Sequence, residues 1–162
     1  MHLEYIDDNN FKLYIHDEKK IIEIDKIKDN PEQFFKNIFL KLKNKYHMRL
    51  NGLYKIDLYV CNNYGIVVEL KHEDDEFYDD YIEGVDLKIK INDDCETLFE
   101  IEDVLLTKNM KNINIFLYKN KYYLMFVNKP SKKELFTILE HSKVIYGKIT
   151  KKIINQVNIL KV

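Results

Sequence analysis

Residue types that usually build covalently fixed or phosphate-binding proteins are scarce in this sequence. Its 162 residues include 2 Cys, 2 Pro, 4 Gly and no Trp. The glycines are isolated from one another, so the chain has neither a glycine-rich phosphate loop nor a dinucleotide-binding fingerprint. Cys61 and Cys95 lack the spacing of a disulfide framework, and we expect both thiols to be reduced.

Long apolar stretches are also missing. No stretch approaches the ~20 apolar residues of a membrane-spanning helix. Residues 1–8 carry acidic side chains where a secretory signal would need an apolar core. We therefore expect a cytoplasmic protein with no membrane partner.

Neither sign of charge dominates the chain. Lys and Arg number 26, Asp and Glu number 27, and the net charge is -1. Such a balance gives no overall attraction to a phosphate backbone, so no nucleic-acid partner is expected. Hydrophobic residues make up 46% of the sequence, which is typical of a chain that folds around a core.

Side chains that could carry chemistry are scattered. No histidine lies three to five residues from another, so the spacing of a zinc site is missing. Ser131 and Ser142 lie at predicted helix boundaries, and Cys61 has no cationic neighbour in sequence. We predict no catalytic, cofactor-binding or metal-binding residue, and hence a protein that is not an enzyme. A small-ligand enzyme would need a polar pocket that the sequence does not indicate.

The first half of the chain predicts hairpins and one long helix. Residues 3–6 and 11–15 are short apolar runs around a turn, and residues 53–60 and 66–70 form a second such pair. Between the pairs, Asn30 and the following proline are typical of a helix start. The apolar stripe predicted for this helix is Phe34, Phe35, Ile38, Phe39, Leu42 and Tyr46.

The second half repeats this mixture. Residues 85–91 predict a short strand, and the spacing of apolar residues over 98–105 predicts a helix. Residues 113–117 and 123–127 flank a turn that contains Asn120, which predicts a third hairpin.

Two helices and a strand are predicted to end the chain. Ser131 is expected to cap one helix and Thr150 another, with a strand at residues 144–146 between them. The fold class predicted from the whole pattern is α+β. It consists of two small domains, each made of antiparallel hairpins packed with one or more helices.

An acidic segment separates the two halves. All nine residues at 72–80 are acidic, His or aromatic, and no apolar period survives there. We interpret residues 1–71 and 96–162 as two domains and residues 72–95 as the linker. The segment could be a solvated spacer or a contact for a basic partner.

Aromatic residues are abundant, with 12 Tyr and 9 Phe. Tyrosine suits protein-binding surfaces because it offers a large contact area at low entropic cost, but it also fills cores where Trp is absent. Tyrosines on strands interleaved with Lys also leave open an alternative function, a regulatory protein that stacks nucleic-acid bases on its sheets. The strand tyrosines in question are Tyr54, Tyr59, Tyr118, Tyr122 and Tyr123.

The order of features in the first half resembles that of the MecA adaptors. Residues 1–6 (MHLEYI) resemble the family's opening strand, and residues 11–15 its second strand. Residues 32–35 (EQFF) are similar to the family's helix start, residues 52–56 (GLYKI) to the following strand, and residues 65–70 (GIVVEL) to the glycine-led strand after that.

The second half resembles the same family. Residues 99–104 (FEIEDV) are similar to one of its helices, and residues 117–124 (LYKNKYYL) to its tyrosine-rich hairpin. Residues 140–145 (EHSKVI) resemble a family turn in which Ser142 replaces a glycine. The middle segment is contracted compared with typical members.

The resemblance implies a cytoplasmic adaptor of regulated proteolysis, of the type that controls genetic competence. Such a protein recognises a client, for example a transcription factor, through its N-terminal domain. It docks through its C-terminal domain on a Clp-type AAA+ unfoldase and can form homo-oligomers. We assign docking to exposed acids and tyrosines of the C-terminal half, namely Glu100, Asp103, Tyr118, Tyr122, Glu134 and Glu140.

Overall fold

The chain forms two compact units in the structure, which is a computed structural model. Unit 1 consists of residues 1–60 and 65–92, and unit 2 of residues 61–64 and 93–162. The predicted α+β class with two small packed units is confirmed. The structure describes residues 2–7, 10–16, 24–48, 50, 52–61, 63–73, 85–157 and 159–160.

Unit 1 contains a five-stranded sheet with the order β1-β2-β4-β3-β5. Strand β5 begins after residues 74–84, which lie outside the described part of the chain, and its last three residues belong to unit 2. The segment interpreted as a linker therefore includes strand residues at both of its ends. The elements are β1 (His2–Tyr5), β2 (Asn10–Ile15), α1 (Ile24–Asp29), α2 (Pro31–Tyr46), β3 (Gly52–Cys61), β4 (Gly65–Glu73) and β5 (Val85–Cys95).

Helix α2 starts and ends where its sequence dictates. The Asn30 side chain accepts a hydrogen bond from the Gln33 N–H at 3.2 Å, and Pro31 occupies the first turn. His47 ends the helix in a left-handed conformation with φ 53°. The predicted helix start is confirmed.

The core of unit 1 lies between α2 and one face of the sheet. Four residues of the predicted stripe are buried at spacings of one, three and four, and Phe34 and Tyr46 pack at the margin. The sheet contributes the inward residues of β2 and β4, which pair directly as Phe11 with Leu70 and Leu13 with Val68. The buried helix residues are Phe35, Ile38, Phe39 and Leu42.

Unit 2 contains a second five-stranded sheet, with the order β10-β7-β8-β6-β9 and antiparallel pairing. Its central hairpin closes through Lys119 and Asn120, both at positive φ, as a two-residue turn requires. The elements are β6 (Thr97–Ile101), a 3₁₀ turn (Val104–Thr107), β7 (Ile113–Tyr118), β8 (Lys121–Phe126), α3 (Lys132–Leu139), β9 (Ser142–Tyr146), α4 (Lys148–Gln156) and β10 (Ile159–Leu160).

Both faces of the second sheet are buried. On one face, Leu98, Phe116 and Tyr123 pack with Ile153 of α4. On the other face, Phe99 is buried, and its ring lies 5.9 Å from that of Tyr64, in the tip of the β3–β4 hairpin. The hairpin tip is therefore part of the packing of unit 2.

Two predictions in the second half are wrong. Residues 98–105 are not a helix, because residues up to Ile101 form strand β6 between two other strands, followed only by the 3₁₀ turn. Thr150 does not cap α4, which begins at Lys148. Its buried hydroxyl lies inside the first turn and donates to the Gly147 carbonyl at 2.6 Å.

The remaining predicted elements are confirmed. The three hairpins form as expected, and residues 85–91 lie within the longer strand β5. Ser131 caps α3 through reciprocal hydrogen bonds with Glu134, and residues 144–146 lie in β9.

Candidate functional site

The residues predicted to dock a partner all lie in unit 2, but on different elements. Glu100 is on β6, Tyr118 on β7 and Tyr122 on β8. Asp103 precedes the 3₁₀ turn, and Glu134 and Glu140 lie at the two ends of α3.

Glu100 is the centre of a polar group on one face of the sheet. Its Oε1 accepts a hydrogen bond from Lys121 Nζ at 2.6 Å, and its Oε2 accepts one from the Tyr123 hydroxyl at 3.2 Å. Strand pairing produces this arrangement, because Glu100 lies opposite Tyr123 on one side and opposite Lys143 on the other.

These contacts fix the ionisation of Glu100. The hydrogen bond from Lys121 lowers the pKa of the carboxyl, helped by the Tyr123 hydroxyl and by the charge of Lys143. Burial raises the pKa of the Tyr123 hydroxyl, and the negative charge of Glu100 adds to that effect. At neutral pH the group is therefore an ion pair beside a neutral phenol, which suits contact with a polar partner better than proton transfer.

Tyr118 extends the same group. It pairs with Lys121 across the hairpin, and its ring lies 6.5 Å from that of Tyr123. The Lys119 ammonium lies 5.5 Å from the ring centre of Tyr118. We call the set Glu100, Tyr118, Lys121, Tyr123 and Lys143 the Glu100 cluster.

Tyr122 does not join the Glu100 cluster. Side chains alternate along a strand, so Tyr122 points to the face opposite that of Lys121 and Tyr123. Its strand neighbours there are Ile101 and Leu117.

Asp103 and Glu134 have structural tasks. An Asp103 carboxylate oxygen accepts the Leu105 N–H at 2.7 Å and caps the 3₁₀ turn. Glu134 Oε2 accepts the Ser131 hydroxyl at 2.6 Å and the Ser131 N–H at 2.9 Å, and these hydrogen bonds lower the pKa of its carboxyl. Glu140 is exposed at the end of α3.

Sequence reasoning missed Lys121, Tyr123 and Lys143 as members of the cluster. The sequence pattern places Lys121 only beside the turn that contains Asn120, and it indicates Tyr123 only as an aromatic residue of a strand. The signal that could have found them is the two-residue turn at 119–120, because it fixes which side chains of the hairpin share a face.

The strand tyrosines divide between core and surface. Tyr54 and Tyr123 are buried, at 4% and 6% exposure, whereas Tyr59, Tyr118 and Tyr122 are half-buried. Two of the five tyrosines that could stack on bases or on a partner therefore serve mainly to fill the cores.

Unit 1 carries a second polar surface on the sheet face opposite α2. Lys12 and Lys71 both lie 3.7 Å from Glu69, which is opposite Lys12 in the strand pairing. Further ion pairing and hydrogen bonding on this face join Lys88 to Glu73 at 3.0 Å and Tyr14 to Glu4 at 2.6 Å. We call these seven residues, Glu4, Lys12, Tyr14, Glu69, Lys71, Glu73 and Lys88, the charged face of unit 1.

The described part of the chain contains no group of three or more His, Cys, Asp or Glu that could hold a metal ion. Within the same residues, no helix has the length and apolar character needed to cross a membrane.

Comparisons with protein-family models, with curated proteins and with solved structures gave no match.

Proposed function

We propose that the chain is a MecA-like adaptor that delivers client proteins to a Clp-type AAA+ unfoldase. The observation that supports this proposal is the division into two compact α+β units. One part of the resemblance differs from the structure, because residues 99–101, which resemble the start of a family helix, lie in strand β6. An adaptor needs only two modest interfaces, because holding a client near the unfoldase raises its local concentration.

Each unit offers one surface for this task. The charged face of unit 1 would recognise the client, and it presents both signs of charge on a five-stranded sheet. The Glu100 cluster of unit 2, with Glu140, would dock on the unfoldase. ATP hydrolysis belongs to that partner, and the complex would form in the cytoplasm.

Binding between purified components tests the proposal. The whole chain is mixed with a purified Clp-type AAA+ unfoldase and ATP, and complex formation is followed by size-exclusion chromatography with light scattering. We expect a stable complex and a faster ATPase rate. Light scattering of the chain alone also reports any homo-oligomer.

A matched pair of charge reversals locates the docking unit. Glu140→Lys changes an exposed side chain of unit 2 and should weaken the complex roughly tenfold, about 1.4 kcal/mol. Asp29→Lys makes the same change at an exposed position of unit 1 and should leave unfoldase affinity unchanged. Equal effects of the two variants, or no complex with the unfoldase, would contradict the proposal.

The alternative, a nucleic-acid-binding regulator, has its own outcome in the same set of experiments. A single-stranded oligonucleotide would then bind with an affinity that falls steeply as salt is added. Such binding, together with the absence of a complex with the unfoldase, would support the nucleic-acid-binding function and contradict the adaptor function.

A further inference from the structure

Cys61 and Cys95 lie side by side although 34 positions separate them. They are the last residues of β3 and β5, which are neighbouring strands of the first sheet. Three residues earlier on each strand, the Asn92 amide donates to the Leu58 carbonyl at 3.3 Å, which shows the same side-by-side alignment. Neither cysteine forms a disulfide in the structure, and both residues belong to unit 2.

The two thiols are in direct contact but have unequal surroundings. Cys61 donates a hydrogen bond to the Cys95 sulfur, which also accepts the N–H of Gly147, the residue that precedes α4. The ammonium of Lys151, one turn into α4, adds positive charge near Cys95, and Glu96 opposes it. Cys61 is 3% exposed and Cys95 6% exposed.

These surroundings favour a thiolate at Cys95 only. The hydrogen bond from Cys61, the Gly147 N–H and the Lys151 charge lower the pKa of Cys95 to about 7, against the opposing effect of burial. The same hydrogen bond raises the pKa of Cys61, and burial raises it further. One sulfur is therefore suited to attack and the other to remain protonated until it is needed.

We propose that Cys61 and Cys95 are a reversible dithiol–disulfide couple, in which Cys95 attacks a small-molecule disulfide and Cys61 resolves the product. Neighbouring strand ends, thiol contact and a helix N-terminus next to Cys95 carry the proposal. It does not depend on the adaptor function, since each of its tests is read on the isolated chain.

The reaction balances as two successive exchanges. The Cys95 thiolate attacks one sulfur of the disulfide, a mixed disulfide forms on Cys95, and one thiolate leaves. Cys61 then loses its proton and attacks the Cys95 sulfur, which releases the second thiolate. The two protein thiols are oxidised, the external disulfide is reduced to two thiols, and the protons of Cys61 and Cys95 end on those thiols.

The bond would join two places where the chain passes between units. Cys61 is the first residue of the segment 61–64, and Cys95 is the third residue after unit 2 resumes at residue 93. The disulfide would close the chain between β3 and β5, so the oxidised form should unfold at a higher temperature than the reduced form.

Mass spectrometry of the native protein tests the couple. The whole chain is incubated with hydroxyethyl disulfide, a small neutral oxidant, and is then denatured and alkylated with a maleimide. We expect a monomer that has lost two hydrogens, takes up no maleimide and recovers both thiols with dithiothreitol. Two alkylated cysteines after native incubation, or a disulfide only between chains or only in urea, would overturn the proposal.

Single substitutions test the assigned roles. Cys61→Ser should stop at a stable mixed disulfide on Cys95, because the resolving thiol is missing. Cys95→Ser should react at least roughly tenfold more slowly, since Cys61 is mostly protonated at neutral pH. Circular dichroism checks that each variant is folded. Equal reaction rates of the two variants would contradict the assignment of Cys95 as the attacking thiol and Cys61 as the resolving thiol.

A pH profile tests the environment of Cys95. The alkylation rate of Cys61→Ser with iodoacetamide reports the titration of Cys95 in the presence of Glu96 and Lys151. Lys151→Gln should move the midpoint of the profile to higher pH, whereas Lys152→Gln, which removes the neighbouring exposed lysine, should move it less. Equal shifts in the two variants would show that Lys151 has no specific role at this site.

Discussion

The two units use similar elements to reach different kinds of packing. Unit 1 places a 16-residue helix on one face of its sheet, and its other face combines charged side chains with the buried Tyr14 and Val67. Unit 2 has shorter helices, of 8 and 9 residues, and residues on both faces of its sheet are buried.

This difference decides where each unit can present a binding surface. A sheet with a helix on one face can keep charged side chains on the other, because side chains alternate between the two faces along each strand. A sheet buried on both faces retains polar contacts only beyond the area that its helices cover. The charged face of unit 1 is accordingly spread over several strands, and the Glu100 cluster of unit 2 is confined to the strand ends near the β7–β8 turn.

Matched cavities give the largest expected effect and test whether the cores are separate. Phe35→Ala in unit 1 and Phe99→Ala in unit 2 each remove a fully buried ring and should cost about 3–5 kcal/mol. Native-state hydrogen exchange should show lost protection mainly in the unit that carries the substitution. Equal loss in both units after either change would show that they unfold as one body.

Acid should destabilise the units over different pH ranges. Burial lowers the pKa of His16 in unit 1 to about 4, with a further effect of neighbouring positive charge such as that of His2. The unfolded chain then binds a proton that the folded chain does not, so unit 1 loses stability as the pH falls from 6.5 towards 4. After discounting for partial exposure, the loss is about 2 kcal/mol.

The acids of unit 2 should respond only at lower pH. Glu100 and Glu134 have lowered pKa values, so their contribution to the stability of unit 2 is present above pH 4.5 and declines below it. Hydrogen exchange should therefore show less protection at pH 5 than at pH 7 in unit 1 alone. His16→Gln should remove most of that loss, and an unchanged pH dependence would exclude His16 as its source.

Helix caps give the smallest of the expected changes. Ser131→Ala removes the hydroxyl that accepts the Glu134 N–H and donates to the Glu134 carboxylate at the start of the short α3, and it should cost about 1 kcal/mol. Asn30→Ala should cost less, about 0.5 kcal/mol, because the longer α2 is held by a buried stripe. Thr137→Ala, within α3, is the control and should change little in urea denaturation. The interpretation fails if Thr137→Ala costs as much as Ser131→Ala.

Local patterns were enough to predict most elements of the fold. The turn at Lys119 and Asn120 and the start of α2 at Asn30 depend on neighbouring residues, so the sequence shows them directly. The prediction failed at residues 98–105 because β6 is buried on both faces. Leu98 and Phe99 are both buried, which removes the alternation that identifies a strand.

The candidate sites depended more on distant residues. Glu100 and Lys121 meet only through the strand order of the second sheet. Cys95 has no cationic neighbour within two residues in sequence, and Lys151 and the Gly147 N–H reach it from the start of α4. Pattern reasoning along the chain could not foresee either group.

The four residues at the tip of the β3–β4 hairpin make the assembly of unit 2 depend on an earlier part of the chain. The Asn63 amide donates to the Phe126 carbonyl at 2.6 Å, and Tyr64 packs on Phe99. A peptide that starts at residue 93 would lack this donor and this ring, so dissecting the molecule at the acidic segment would leave its C-terminal piece incomplete. During synthesis, the β3–β4 hairpin leaves the ribosome before strands β6 and β8, which its tip contacts. Unit 2 therefore completes its packing against a segment that has already been synthesised.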